Sequence, residues 1–446
     1  MMYTSIVLVQ TDKEKFETKP TIRRRSICLV FFVLLCMCTL SCGKDTSQDG
    51  MQSYRIIHKV IPQPVEHADP SGPKVSQQVD ILIPDGVPLD APVFFHFGNE
   101  TDLTDAHLLR MRRLHGSGFQ VIYVQAEHRG YGQSLTQDED QSVPAYVRVD
   151  QVLADAHEVV HQLKKEYSGP WMAAGWSYGG ALVIEFAARY PEDVKVILSS
   201  SGVVDWPFLD YGYDRQIRKT LGDACYKRLV RHSKNLKPEQ LFDENWMERE
   251  FLHTTIMGVT QFPRLKNLKP AFQMLSFLPT RAFLKVLHPM DIRFGDGEAW
   301  KYAQASAARR VTGKQVTEGI HNWHAWRYQM CAEIGGFLAS EDPAGLFIRT
   351  RDDCCEECRA LFGEDPHSAE GPEWSQRQEL ESLPVPLIYV TGGMDPWLSV
   401  SLEPDYKIEN GRYFFVPEGR HCPDREDPEL AREILAEMLK YADAKL

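Results

Sequence analysis

The chain has 446 residues, of which 43% are hydrophobic and 25% are charged. This balance is enough to bury a sizeable core, and it excludes a disordered, collagen-like or coiled-coil protein. Acidic residues outnumber basic ones by 62 to 50, and the resulting formal net charge of −12 argues against a nucleic-acid partner.

The first 41 residues have the pattern of an export signal. Arg23, Arg24 and Arg25 precede an apolar run over residues 26–40. That run is shorter than the roughly 18–20 residues that a membrane-spanning helix needs, so it fits a cleaved secretory signal peptide. The sequence around Cys42 resembles a bacterial lipoprotein processing site. We therefore expect Cys42 to be lipidated and residues 42–52 to form a linker. The protein would then lie in the bacterial cell envelope or be secreted. A plain signal peptide that is cleaved nearby is the alternative.

From residue 53 onward, strand-like and helix-like segments alternate. Two leading strands, expected to pair antiparallel, are followed by further strands and amphipathic helices. The predicted strands are 54–60, 75–83, 93–97, 121–126, 171–174, 194–199, 387–391 and 413–416, and the predicted helices are 104–115, 147–167, 179–189 and 428–441. This alternation predicts an α/β fold with a doubly wound, mostly parallel sheet covered on both faces.

The pattern changes between residues 206 and 380. This stretch has helix-type periodicity and many aromatic residues, with few strand-like runs. It interrupts the sheet pattern, which resumes near residue 387. We predict a helical cap insertion over 206–380, which divides the sheet domain into a first part at 53–205 and a second part at 381–446.

The segment GWSYGG at residues 175–180 matches Gly-x-Ser-x-Gly, with a predicted strand before it and a predicted helix after it. In that context the motif is typical of a sharp turn that presents a nucleophilic serine, here Ser177, at a helix N-terminus. The backbone N–H of Tyr178 is then placed to stabilise an oxyanion. Asn99, in the loop after the strand VFFHF, is the candidate second donor; an ordinary polar turn is the alternative there.

Two further residues complete a candidate catalytic triad. Asp395 follows the strand LIYVT, and His421 follows the strand YFFV. The order serine, aspartate, histidine is the chain order of this class of hydrolase. The carboxylate would orient the imidazole, and the imidazole would act as the base. The pattern calls for no metal or organic cofactor.

Ten cysteines are unevenly spread along the chain. Cys354, Cys355 and Cys358 lie close together, but no second Cys-x-x-Cys pair accompanies them, so zinc is disfavoured. Because export permits disulfides, we expect structural disulfides that join Cys331 to this cluster.

The motifs FFHFGNE, AEHRGYGQS, GWSYGG, GGMDPW and GRH resemble the proline-specific serine exopeptidases of the prolylcarboxypeptidase and dipeptidyl-peptidase II family. The stretch before and after GWSYGG is also similar to secreted bacterial tripeptidyl aminopeptidases. The resemblance covers roughly residues 90–205 and 320–425. It implies an α/β-hydrolase domain with a helical cap, cleavage near a chain terminus, often after proline, and the triad Ser177, Asp395 and His421.

Substrate contacts can be expected from residues of two kinds. Aromatic residues such as Trp326 and Trp397 could line a flat pocket for a proline ring, although aromatics at such positions are more often core. Glu100 and Glu333 are candidates to hold a substrate amino group, because a carboxylate is the usual partner of an ammonium. Glu127 and Arg129, which follow a strand, are predicted to form a structural brace.

The sequence as a whole predicts an exported serine exopeptidase that acts on short peptides. Its contact with a membrane would be limited to the lipid anchor. A carboxylesterase or lipase on the same scaffold is the alternative enzyme, since the triad chemistry is shared. A non-catalytic, peptide-binding surface lipoprotein is the alternative of another class.

Overall fold

The computed structural model describes residues 53–137, 142–261, 269–294, 297–363 and 374–443. The predicted export signal and Cys42 lie outside these residues. Within them, no helix is both long enough and apolar enough to cross a membrane.

The centre of the molecule is an eight-stranded sheet. Its strands are β1 (Tyr54–Pro64), β2 (Lys74–Pro84), β3 (Val93–Phe97), β4 (Ile122–Ala126), β5 (Trp171–Trp176), β6 (Ile197–Ser200), β7 (Leu387–Gly392) and β8 (Gly411–Val416). The spatial order is β1-β2-β4-β3-β5-β6-β7-β8. The pairs β1–β2 and β2–β4 are antiparallel, and all the other pairs are parallel. The predicted α/β-hydrolase fold is confirmed.

Helices cover both faces of this sheet. They are α1 (Asp105–His115), α2 (Val149–Leu163), α3 (Tyr178–Arg189) and α14 (Pro428–Tyr441), the last capped by Asp427 as its predicted start requires. Strand β3 shows why two layers form. Phe95 and Phe97 pack into the apolar cluster shared with α2 and α3, whereas Phe94 packs into the cluster shared with α1 and α14. Side chains of a strand alternate between the two faces of the sheet, so a strand that is buried along its whole length needs helices on both faces.

The predicted element boundaries differ from the observed ones mainly at helix α2. The periodicity predicts a helix over 147–167, but the helix begins at Val149 and ends at Leu163. Val147 is held outside it by a turn, because its N–H donates to the carbonyl of Pro144. At the other end, Ser168, Gly169 and Pro170 follow the last turns and stop the helix before β5.

The chain between β6 and β7 is mostly helical. The helices here are α4 (Gly212–Leu221), α5 (Asp223–Asn235), α6 (Glu244–Gln261), α7 (Lys269–Leu275), α8 (Thr280–Phe294), α9 (Glu298–Ser306), α10 (Gly313–Thr317), α11 (Ile320–Gln329), α12 (Arg351–Phe362) and α13 (Arg377–Glu381), with a π-helix at Met330–Ile334. Two short pairings lie at the base of this segment. Asp205–Trp206 pairs antiparallel with Trp374–Ser375, and Leu209–Asp210 pairs parallel with Phe337–Leu338.

The predicted link from Cys331 to the cysteine cluster is present in the structure. A disulfide joins Cys331, in the π-helix, to Cys358 in α12. Cys354 lies one turn before Cys358, is buried and forms no disulfide with a described cysteine. The cluster therefore fastens two neighbouring helices of the inserted segment.

A buried ion pair joins the segment after β4 to helix α2 and to the end of β1. Arg129 and Asp155 are both fully buried, and the guanidinium donates to both carboxylate oxygens, at 2.5 and 2.6 Å. The same guanidinium donates to the carbonyls of Pro64 and Val65, at the end of β1. The predicted brace is thus formed by Arg129 with Asp155. Glu127 instead accepts from the backbone of Gln133 and Ser134.

Replacing Asp155 with asparagine should destabilise the fold strongly. The change leaves the Arg129 guanidinium buried without its counter-charge, which typically costs about 3–5 kcal/mol. Urea unfolding followed by far-ultraviolet circular dichroism measures the difference from the unchanged protein. The half-exposed Asp150, which pairs with Arg148, provides the control: Asp150→Asn should cost no more than about 1 kcal/mol. Equal losses in the two variants would contradict this account.

Candidate active site

Ser177 occupies the turn between β5 and α3 in a strained backbone conformation. Its φ is 56° and its ψ is −124°, values that a non-glycine residue rarely adopts. The flanking glycines make this turn possible. A Cβ at Gly175 would lie 1.9 Å from the carbonyl oxygen of Gly179, and a Cβ at Gly179 would lie 2.3 Å from that of Gly98. Ser177 is half-buried, whereas both of its chain neighbours are buried. The turn therefore presents one hydroxyl at the carboxyl edge of the sheet.

The predicted oxyanion donors lie beside this turn. Tyr178 is the first residue of α3, so its N–H has no acceptor within the helix. The loop that contains Asn99 begins at Gly98, whose carbonyl packs against Gly179. The two backbone segments are in contact, as an oxyanion site built from both would require.

Asp395 and His421 form a buried hydrogen-bonded pair. The imidazole Nδ1 lies 3.0 Å from Oδ1 and 2.9 Å from Oδ2 of the carboxylate. Asp395 is fully buried and His421 is 5% exposed. The N–H of Trp397 also donates to Oδ1 of Asp395, at 3.0 Å. The carboxylate is thus held from two sides and fixes the ring nitrogen that faces it.

The loops that contain the pair are joined along their backbones. The N–H of Gly393 donates to the carbonyl of Val416, and the N–H of Met394 donates to that of Gly419, both at 2.8 Å. A Cβ at Gly392 would lie 2.2 Å from the carbonyl oxygen of Arg420. The glycines of GGMDPW therefore allow the two loops to approach closely enough for the side chains to bond.

Burial and charge act in opposite directions on the imidazole. Burial lowers the pKa of His421, whereas the charge and hydrogen bond of Asp395, together with the neighbouring Cys422, raise it, and the net result is a pKa well above the usual value. The other nitrogen, Nε2, is buried and has no hydrogen-bond partner in the described part of the chain. That nitrogen is left to exchange a proton with a third group.

The histidine loop is anchored beside the serine turn. The N–H of Ser177 donates to the carbonyl of Ser200, at the end of β6. The next residue, Ser201, accepts at its hydroxyl a hydrogen bond of 2.8 Å from the N–H of Cys422. Neighbouring residues at the end of β6 therefore bond to Ser177 and to Cys422, the residue after His421. The three residues predicted as a triad lie at the same edge of the sheet.

One buried carboxylate of the site escaped the sequence analysis. Asp424 accepts a 2.6 Å hydrogen bond from the indole of Trp176 and a second bond from the hydroxyl of Ser200. Burial raises the pKa of its carboxyl group. Asp424 therefore joins the serine turn, β6 and the histidine loop. Its only sequence signal is its place three residues after His421, which also fits an ordinary turn.

An aromatic cluster adjoins the serine turn. The ring of Tyr178 lies 5.0 Å from that of Trp326 and 5.7 Å from that of Trp374, between centroids. Trp206 lies 5.8 Å from Trp326 and 5.9 Å from Trp397. The structure thus brings together the two predicted tryptophans, Trp326 and Trp397. Trp206 and Trp374 were missed because they lie on two-residue strands that show no periodicity.

The two acids predicted to bind substrate have different surroundings. Burial raises the pKa of Glu333 to about 7, and its Oε2 accepts from the N–H of Val149, the first residue of α2. Glu333 therefore caps a helix. Burial also raises the pKa of Glu100, whereas the charge of His421 lowers it, and its Oε2 is buried without a partner in the described residues.

Comparisons with known proteins show what this chain is similar to. Residues 87–243 match the family of serine carboxypeptidases S28. A probable serine protease of Arabidopsis thaliana is 23% identical over 68% of this chain and 69% of its own length. The human thymus-specific serine protease is 20% identical over 75% of each chain. The human lysosomal Pro-X carboxypeptidase is 31% identical over 26% of this chain, a match that spans 25% of that relative's length.

The fold and the paired loops define the class as an α/β-hydrolase with a serine at the turn after its fifth strand. The matches narrow this class: the chain is similar to the S28 serine carboxypeptidases over residues 87–243 and, over a shorter stretch, to the human Pro-X carboxypeptidase. The resemblance predicted from the sequence is confirmed.

Substituting Gly179 with alanine should slow the reaction of Ser177, whereas adding a methyl group at an uncrowded glycine should not. The new Cβ would meet the carbonyl of Gly98 and push the Asn99 loop away from Ser177. A displacement of about 1 Å at a reacting group costs roughly 100-fold in rate. The matched control is Gly118→Ala, because a Cβ there meets nothing within 4 Å. Rates of labelling by a fluorophosphonate and thermal midpoints should be compared; equal labelling of both variants would contradict the argument.

Proposed function

We propose that the protein is an exported serine exopeptidase that cleaves short peptides near a terminus, with a preference for proline. The observation that carries the proposal is the buried pair of His421 and Asp395 at the sheet edge where the strained turn presents Ser177; Nε2 of His421 has no partner among the described residues.

The mechanism follows from the positions of these groups. The hydroxyl of Ser177 attacks the peptide carbonyl while Nε2 of His421 takes its proton. Asp395 holds the imidazole in the tautomer that leaves Nε2 free and stabilises the imidazolium. The N–H groups of Tyr178 and Asn99 bind the oxyanion. His421 then returns the proton to the leaving amine, and water, activated by the same nitrogen, releases the acyl group from the serine.

The aromatic cluster supports a preference for proline. Tyr178 and Trp206 are buried in the core, and Trp326, Trp374 and Trp397 are only partly buried against it. Trp326 and Trp374 adjoin the ring of Tyr178, the residue that follows the nucleophile. A flat apolar wall fits a pyrrolidine ring, which has no N–H that needs an acceptor within a chain. The human relative is named a Pro-X carboxypeptidase, which supports the same substrate class.

Contacts of the inserted helices support cleavage of short peptides rather than folded proteins. Arg420, next to the histidine, donates to the carbonyl of Val259 in α6 at 2.9 Å. Gln216 in α4 donates to the carbonyl of Gly393 at 3.2 Å. Helices of the insertion therefore contact both loops of the catalytic pair, a position from which they limit access to the sheet edge.

Product analysis by mass spectrometry tests the activity. The chain from residue 43 should be incubated with a mixed peptide library beside a Ser177→Ala variant. Short fragments trimmed from one terminus, enriched next to proline and absent with the variant, are expected. Cleavage of folded proteins at internal sites would contradict the exopeptidase, and hydrolysis of acyl esters with all peptides left intact would favour an esterase.

Replacing Asp395 with asparagine should lower kcat by about 10³–10⁴-fold, because the imidazole loses the partner that fixes its tautomer. It should also move the acidic limb of the pH–rate profile. Burial lowers the pKa of His421, whereas Asp395 and Cys422 raise it, so removing the carboxylate shifts the balance towards burial and lowers this pKa. Activity requires the neutral imidazole, and the half-maximal pH should therefore fall. An unchanged or higher half-maximal pH would contradict this assignment.

We also propose that the protein is lipid-anchored through Cys42, a conclusion supported by the sequence before and after that residue. Expression of the full chain in a Gram-negative host with labelled palmitate should give a labelled, membrane-associated protein. The Cys42→Ser variant should take up no label and leave the membrane fraction. Cys225→Ser is the control, because this buried cysteine lies far along the chain and should leave labelling unchanged.

A further inference from the structure

One carboxylate oxygen of Glu100, in the loop beside the catalytic centre, is buried without a hydrogen-bond partner among the described residues. Glu100 lies in the loop after β3, two residues beyond Gly98 and next to Asn99. Gly98 packs against Gly179, and this contact places the loop directly beside the serine turn. The Oε2 atom of Glu100 is shielded from solvent and accepts no hydrogen bond from the part of the chain that the structure describes.

Two neighbours of Glu100 in this loop have partners. The hydroxyl of Thr101 donates to the side chain of Asn99 at 2.9 Å, and the N–H of Leu103 donates to Glu127 at 3.0 Å. Among the described residues of this loop, Oε2 of Glu100 is the buried side-chain atom without a partner. Buried carboxylates are normally paired, because an unpaired one is costly to remove from water. An orphan of this kind beside a nucleophile indicates a place for a cationic group of the substrate.

Resting on the proposed function, we infer that Glu100 binds the free α-ammonium of the peptide substrate, which makes this enzyme an aminopeptidase. Asn99 is the proposed oxyanion donor, so a group bound by the next residue lies within a residue or two of the scissile carbonyl. An α-ammonium offers three donors to a carboxylate. The other acid considered, Glu333, has its Oε2 engaged by the N-terminus of α2.

The test compares matched substrates with and without the amino charge. Short peptidyl-proline coumarylamides would be assayed with a free amino terminus and with an acetylated one. For the unchanged protein, we expect kcat/KM to be about tenfold or more higher for the free amine, the usual scale of a hydrogen bond to a charged group. A lysine-containing acetylated substrate distinguishes the α-ammonium from a side-chain ammonium as the bound cation.

Variants assign the effect to a residue. Glu100→Gln keeps the shape but removes the charge, and the ratio of the two kcat/KM values should fall towards one, mainly through KM. Glu100→Asp keeps the charge on a shorter side chain and should restore part of the ratio. Glu333→Gln should leave the ratio unchanged, because that carboxylate bonds to a helix terminus.

Two results would overturn the inference. One is equal hydrolysis of free and acetylated substrates by the unchanged protein. The other is a Glu100→Gln variant that loses activity equally on both substrates and shifts the acidic limb of the pH profile, since Glu100 would then act through His421. Fluorophosphonate labelling separates the two proposals: failure to label the unchanged protein refutes the serine peptidase, whereas labelling without amino-terminal discrimination refutes only the role of Glu100.

Discussion

The close backbone contact around Gly179 is the constraint on which the rest of this structure depends. The turn at Ser177 folds back so tightly that the carbonyl of Gly179 occupies the space of a Gly175 side chain, and Gly179 itself lies against the carbonyl of Gly98. The contact brings the nucleophile and the β3 loop together without any side chain between them. The candidate oxyanion donors and the carboxylate of Glu100 take their positions from this contact.

The second requirement is that a charged pair remains buried and still able to exchange protons. Asp395 is held by the N–H of Trp397 and by the imidazole, so its charge is balanced without solvent. A second buried carboxylate, Asp424, accepts hydrogen bonds from the indole of Trp176 and the hydroxyl of Ser200. Asp395 contacts the imidazole, and Asp424 joins the serine turn to β6 and the histidine loop. Because Asp424 has its own partners, Nε2 of His421 has no partner among the described residues.

The fold and the central residues could be predicted from the sequence because each depends on local pattern. Strand β3 is a run of five apolar or aromatic residues between proline and glycine, and its predicted bounds are the observed ones. Ser177, Asp395 and His421 each follow such a strand, and the topology then brings them to one edge. Asp424, Trp206 and Trp374 could not be found in this way, because their roles arise from contacts between segments far apart in the chain. Glu333 shows the same limit: its partner, the N-terminus of α2, lies 184 residues away.

The short pairing of Trp206 with Trp374 has a consequence for the history of such molecules. Strands that pair lie about 5 Å apart, so the inserted helices leave the sheet domain and return to it at nearly the same point. A segment whose two ends meet can be gained, exchanged or enlarged without moving the strands on either side of it. The sheet with its serine, aspartate and histidine and the helices of the insertion can therefore change independently of each other.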